Sequence, residues 1–123
     1  MSYQLHVRLV EAKNLAKMDV FSKSDPYVVF TIDGTQKQKS QTKTNTQTPR
    51  WNQDFHFTIN NIARQAIVIN MYDEDVNADD HMASLTIQIS SLPFGTVLDQ
   101  WYDMIPAKRV KKGGQIHLVF HIA

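Results

Sequence analysis

Apolar and polar residues alternate at both ends of the chain. Tyr3-Gln4-Leu5-His6-Val7-Arg8-Leu9-Val10 and Gln115-Ile116-His117-Leu118-Val119-Phe120-His121-Ile122 place an apolar side chain at nearly every second position. Successive side chains of a strand point to opposite faces, so each segment predicts a strand with one face buried. Residues 27–32 are rich in β-branched and aromatic side chains and predict another strand, closed by the hairpin signal Asp33-Gly34. Further strands are expected over residues 51–57, where Trp51, Phe55 and Phe57 alternate inward, over 66–72, and over 82–89 with Leu85, Ile87 and Ile89 on one face. After the break at Ser91-Leu92-Pro93-Phe94-Gly95 a strand resumes over 97–102, and Gly113-Gly114 precedes the last one. Residues 36–44 differ in having no large apolar side chain; read as a strand, they put Lys37, Lys39, Gln41 and Lys43 on one outward face. The expectation is an all-β fold, an eight-stranded antiparallel β-sandwich, with residues 60–65 open between a loop and a short helical turn.

At 123 residues the chain is expected to form one domain, and 42% hydrophobic residues suit a globular core. The absence of cysteine excludes a disulfide framework, a thiolate zinc site and a cysteine nucleophile. No apolar run approaches the ~20 residues of a membrane span, and Met1-Ser2-Tyr3-Gln4 does not open a signal peptide. A soluble, cytoplasmic monomer is the resulting expectation.

Charge changes the picture more than composition does. A net charge of +1 conceals segregation: five of twelve acidic residues fall within residues 73–80, while Lys37, Lys39 and Lys43 form one basic group and Lys108, Arg109, Lys111 and Lys112 another. The acidic group follows the apolar run Val68-Ile69-Asn70-Met71-Tyr72, so a buried strand delivers negative charge to one point on the surface. Asp73 and Asp75 are two apart and on extended backbone lie on one side, roughly 6–7 Å apart, a spacing that a calcium ion with oxygen ligands at about 2.3–2.6 Å can bridge. A solvated acidic turn has the same sequence.

Rival chemistries fit less well. Asp73-x-Asp75-x-Asn77 matches the opening of an EF-hand loop, but Ala78 stands at its glycine position and Ser84 at that of its bidentate glutamate. For an enzyme, His6, His56, His81, His117 and His121 are scattered, and His117 and His121 lie about 13 Å apart along one strand, too far for a shared metal. There is no nucleophile elbow or phosphate-binding glycine loop, so no catalytic residues are assigned. Two small lysine groups on a nearly neutral chain do not form a nucleic-acid surface.

Met18-Asp19, Ser24-Asp25-Pro26-Tyr27-Val28, Thr48-Pro49-Arg50-Trp51-Asn52-Gln53-Asp54-Phe55-His56-Phe57 and Asp73-Glu74-Asp75 with Asp80 beyond together resemble a C2 domain, the calcium-dependent phospholipid-binding β-sandwich, over nearly the whole chain. The resemblance implies two or three calcium ions held by Asp19, Asp25, Asp73, Asp75 and Asp80, helped by the backbone carbonyls of Met18 and Glu74. The third loop looks one residue short, which sets Asp79 against Asp80; Asp80 directly precedes the next strand and is preferred. Ala83 replaces a usual glycine, and Thr48 a usual asparagine. Because no strand precedes the one leading to Asp19 and an alternating strand closes the chain, the topology resembles type II. The function implied is docking on anionic phospholipid, phosphatidylserine or phosphoinositides, with calcium recruiting the protein from the cytoplasm to the membrane. Val20 and Phe21 would insert as loop tips, although Phe21 could instead pack on its own loop. Lys37, Lys39 and Lys43 match the family's basic groove, although plain solvation explains them too. A protein-interaction module with a structural or vestigial calcium site is the alternative.

Overall fold

The alternation in the sequence becomes alternating burial in space. A computed structural model describes residues 1–19 and 21–123, and its strands are β1 (Tyr3–Lys13), β2 (Pro26–Ile32), β3 (Gln36–Lys39), β4 (Arg50–Ile59), β5 (Ala66–Asp73), β6 (Asp80–Gln88), β7 (Leu98–Asp103), β8 (Ile105–Pro106) and β9 (Gln115–Ile122). They form a four-stranded sheet ordered β4-β1-β9-β7 and a five-stranded sheet ordered β3-β2-β5-β6-β8, with antiparallel pairing between all named neighbours. The closing strand β9 lies between β1 and β7, as the type II reading requires. The strand missing from the sequence reading is β8, two residues that pair Ile105 with Ser84 and Pro106 with Ala83. It is too short to carry a pattern.

The core forms where the inner faces meet. Leu5, Val7 and Leu9 of β1, and Leu118 and Phe120 of β9, face Phe30 of β2, Ile69 and Met71 of β5, and Met82 of β6, all essentially without solvent exposure. Phe30 packs on Phe55 and Phe57 with ring centroids 4.9 and 6.4 Å away. At about 1.5–3 kcal/mol for each large apolar side chain buried, this layer fixes the register of every strand that enters it.

Two irregularities shift the alternation. Between Leu9 and Glu11 the β1 register slips by a residue, so Leu9 and Val10 are both buried and Glu11 points outward; Asn52 opposite adopts φ 47. A second slip beside Met71 and Tyr72 leaves both Met82 and Ala83 buried, and β6 ends at Gln88, so Ile89 reaches the core from a 3-10 turn at Ile89–Ser91 rather than from the strand. Residues 61–65 make a single helical turn, with the Gln65 N–H donating to the Asn61 carbonyl at 2.9 Å.

The polar strand is shorter than expected. β3 ends at Lys39; beyond it Ser40 turns inward, its Oγ accepting from the Val28 N–H at 2.8 Å, and the Lys43 N–H donates to the Pro26 carbonyl. Lys37 and Lys39 therefore share an exposed face of β3, whereas Lys43 lies past the strand end and is half-buried. The inward positions are held by amides: Gln36 Nε2 donates to the Thr58 carbonyl (2.7 Å), Gln36 Oε1 accepts from the Thr58 N–H (2.8 Å), and Gln38 Nε2 donates to the His56 carbonyl (2.6 Å). These glutamines satisfy the unpaired backbone of the β4 edge, which is why no apolar residue is needed there.

On the outer face of the four-stranded sheet His117 sits between two acids. Its Nδ1 is 3.2 Å from Glu11 and its Nε2 2.5 Å from Asp99, while its ring stacks on Trp101 at 5.0 Å, itself capped by the Lys13 ammonium at 4.1 Å. Burial pulls the imidazole down, but the bonds to Asp99 and Glu11 outweigh it and hold His117 above its ordinary 6.5. A group raised on folding contributes stability that is complete below its unfolded value and lost as pH rises through the folded one. The melting-temperature advantage of wild type over His117→Gln is therefore expected to be largest below about pH 6 and to shrink on going toward alkaline pH; an advantage independent of pH would show that the ion pairs do not act.

Candidate metal centre

Three adjacent strands bring carboxylates to one end of the sandwich. β5 is anchored by Ile67, Ile69 and Met71, all fully buried, and its last residue is Asp73, only 8% exposed. Asp73 pairs in register with Pro26 on one side and Asp80 on the other, so Asp25, immediately before Pro26, and Asp80 flank it. The Asp25 N–H donates to Asp73 Oδ1 at 2.8 Å, the Glu74 N–H to the Asp25 carbonyl at 3.0 Å, and the Asn45 N–H to Asp25 Oδ1 at 2.5 Å.

Residues 14–19 and 21–25 are folded back on one another and clamped from the side. Buried Ser24 donates its hydroxyl to the Ala16 carbonyl (3.0 Å) and accepts from the Met18 N–H (3.3 Å). Gln47 accepts from the Ser24 N–H at 2.6 Å and donates to the carbonyls of Leu15 and Ala16, while Asn45 Oδ1 accepts from the Lys23 N–H. Asp19 Oδ1 in turn accepts the Phe21 N–H at 3.0 Å. The sequence reading missed Asn45 and Gln47, because side-chain amides that bond to backbone leave no periodic signal.

A cavity of about 140 Å³ results, lined by the acids Asp19, Asp25, Asp73, Glu74 and Asp75 together with Ser22, Lys23 and Val76. Four of the five expected aspartates thus share one cavity. Asp80 pairs with Asp73 across the strands but lines the neighbouring cleft beside Met18, so it adds charge to Asp73 from the other side. No three acidic groups converge on a common ligating point among the described residues, and the site is an open acidic cradle. Its donors are all oxygen and mostly carboxylate, which suits a hard cation such as calcium.

Asp79 is differently engaged. Its Oδ1 accepts the Asp75 N–H at 2.9 Å and its Oδ2 accepts the Tyr27 hydroxyl, bonds that hold its carboxyl below the ordinary range, while Tyr27 is pushed well above its own by burial and then by Asp79. Tyr27 begins an aromatic row on the outer face of the five-stranded sheet: the Lys39 ammonium lies 4.2 Å from its ring, Tyr72 stacks on it at 5.5 Å, and His81 follows at 5.2 Å. Phe21 and Val76, at 95% and 98% exposure, project from the two loops that flank the cradle. Val76, an apolar residue inside an acidic loop, was readable from sequence and was overlooked; Val20 lies outside the described residues.

A family model described as C2 domain matches residues 3–104. The chain belongs to the C2 family. Mouse Extended synaptotagmin-3 is 35% identical over 93% of this chain, and human Cytosolic phospholipase A2 delta 36% identical over 85%. The chain spans 13% of the length of each of these relatives. Among solved structures, a calcium-bound pair of C2 domains from Extended-Synaptotagmin 2 superposes with a TM-score of 0.84 at 28% identity, covering 95% of this chain and 44% of that one. C2 domains as a family are calcium-dependent membrane-binding modules, and that general class is the one this chain falls in.

Burial first, and the charges of Asp25, Asp80 and Asp75 after it, hold the Asp73 carboxyl above the ordinary range, against the Asp25 N–H that favours its ionised form. An acid raised on folding stabilises the fold only below its unfolded value, here 3.8, and that contribution disappears as pH rises through the folded value. At neutral pH the ionised group therefore works against the fold. Asp73→Asn keeps an acceptor for the Asp25 N–H and removes the charge, so without calcium it is expected to melt no lower than wild type. A clearly lower midpoint by circular dichroism would contradict this.

Proposed function

We propose that this C2 domain docks on anionic phospholipid membranes when calcium fills the acidic cradle. Two or three ions are held by Asp19, Asp25, Asp73, Asp75 and Asp80, with the carbonyls of Met18 and Glu74 adding ligands. The observation that carries this reading is the shared cavity of Asp19, Asp25, Asp73 and Asp75, with two apolar tips beside it. The bonds already made by both carboxylate oxygens of Asp79 support Asp80 over Asp79 as the fifth carboxylate.

Physically, the ion does two things. It cancels repulsion among carboxylates that protein packing holds together, and it leaves coordination positions that phosphate or carboxylate oxygens of a headgroup complete. The end of the domain thereby changes from repelling an anionic surface to bridging to it. Phe21 and Val76 then bury their side chains, each contributing about 1.5–3 kcal/mol. Lys37 and Lys39, beside Tyr27, offer a second contact for anionic lipid, phosphoinositides included, at about 1 kcal/mol for each lysine. In this reading the domain is a cytoplasmic monomer recruited to membranes by calcium.

Sedimentation with phosphatidylserine vesicles, in calcium and in chelator, tests the proposal. Wild type is expected to sediment only with calcium, Asp25→Asn to lose most of that binding, and Phe21→Ala or Val76→Ala to weaken it by about tenfold or more, the equivalent of one apolar side chain left unburied. Equal sedimentation in chelator, or none in either condition, would overturn the bridging mechanism. Unchanged affinity of both tip variants would remove the tips from it.

A further inference from the structure

The basic group at residues 108–112 has no part in the function proposed above. The structure places it at the same end of the sandwich as the calcium loops. Its loop is rooted firmly: the Met104 N–H donates to the Gly114 carbonyl, the Ala107 N–H to the Met82 carbonyl, and the Val110 N–H to the Ala107 carbonyl, each at 3.0 Å. A Cβ at Gly113 would lie 2.0 Å from the Met104 carbonyl oxygen, and one at Gly114, which adopts φ +74, would lie 2.7 Å from the Lys13 carbonyl oxygen. These close approaches need glycine. The cations between the two stems are therefore presented from a fixed base.

Facing them is the first loop. Residues 16–18 and 109–112 enclose a cleft of about 580 Å³, within the range of small-molecule sites. Its walls carry Lys17, Arg109, Lys111 and Lys112, and its apolar surface comes from Ala16, Met18 and Val110. An adjoining cleft, lined by Lys108 and Arg109, runs on toward Asp80. None of these five cations has a carboxylate within 4.0 Å among the described residues, and what sets them apart from the other unpaired lysines is that they line this cleft and the one adjoining it. All five are exposed. Like charges gathered without counterions weigh against folding, which points to a ligand that supplies them.

We infer that this cleft binds the phosphorylated headgroup of a membrane lipid, a phosphoinositide carrying phosphomonoesters, without calcium. Phosphomonoesters carry about −1.5 to −2 charges each, match the arginine fork, and are also held by lysine ammonium groups. An inositol ring lies over the apolar surface. The lipid is favoured over a free phosphate because the cleft shares Met18 with the first loop, three residues before the exposed Phe21. A membrane that receives the loop tips thus reaches the cleft. The site is separate from the face of Lys37 and Lys39 on β3.

The test is run in chelator, where calcium bridging is silent, so its failure is distinct from failure of the calcium-dependent reading. Phosphatidylcholine vesicles containing phosphatidylinositol bisphosphate are sedimented with wild type, with Lys111→Gln/Lys112→Gln, and with Lys37→Gln/Lys39→Gln. Wild type is expected to bind, and the cleft variant to bind about 30-fold more weakly. The strand variant, which loses the separate contact proposed for Lys37 and Lys39, is expected to weaken binding by its own similar factor while leaving the effect of the cleft variant intact, and all three are expected to melt alike. Absence of wild-type binding in chelator would overturn the inference, as would loss confined to the strand variant. Soluble inositol trisphosphate binding to the cleft as tightly as the vesicles do would overturn the lipid as the source of the phosphate.

Discussion

Burial of Asp73 among like charges is the constraint on which the site depends. The carboxylate cannot move away from its neighbours, because β5 is held by side chains buried in the core and its register with β2 and β6 puts Asp25 and Asp80 alongside. A strand free to slide would relieve the repulsion; this one would have to expose Ile67, Ile69 and Met71 to do so. The energy of the hydrophobic core is thus used to hold like charges together, and a cation is the species that releases the tension.

The loops around that point extend the same logic. Ser24, Asn45 and Gln47 bond to backbone and hold residues 14–19 and 21–25 in place without neutralising any acid. Tyr27 and the Asp75 N–H occupy Asp79. What this end presents is the acids of the cradle, of which Asp19, Asp25 and Asp73 each have one oxygen bonded to a backbone N–H, with apolar tips beside them and cations in the neighbouring cleft. With a cation in the cradle, the acidic flank no longer opposes the basic one, and the whole end presents a surface complementary to anionic lipid.

The sandwich was legible where one face of a strand meets the core, as in β1, β5 and β9, because burial alone imposes period two. It was less legible where something other than burial fills the inner face. Gln36 and Gln38 serve the backbone of β4 through amides, and the sequence reading carried their strand on to Lys43 for lack of a sign that Ser40 turns inward. The register slips in β1 and beside Met71 left no trace, since a bulge depends on the partner strand. The acidic cradle was readable because charge density is written in the chain itself. That Asp80 faces a different cleft from the other four aspartates was not, and neither was the meeting of residues 108–112 with Lys17, which depends on the two-residue β8 and on the glycines at the foot of its loop.

The central claim is that the fold holds an acidic site whose repulsion calcium relieves. Thermal unfolding of wild type in chelator, in calcium and in magnesium tests it most directly. Calcium at a hundredfold excess over its dissociation constant is expected to add about 2.7 kcal/mol and raise the midpoint, with magnesium far less effective at the same concentration because the open cradle does not offer it octahedral geometry. A midpoint unmoved by millimolar calcium, or moved equally by both ions, would contradict the account.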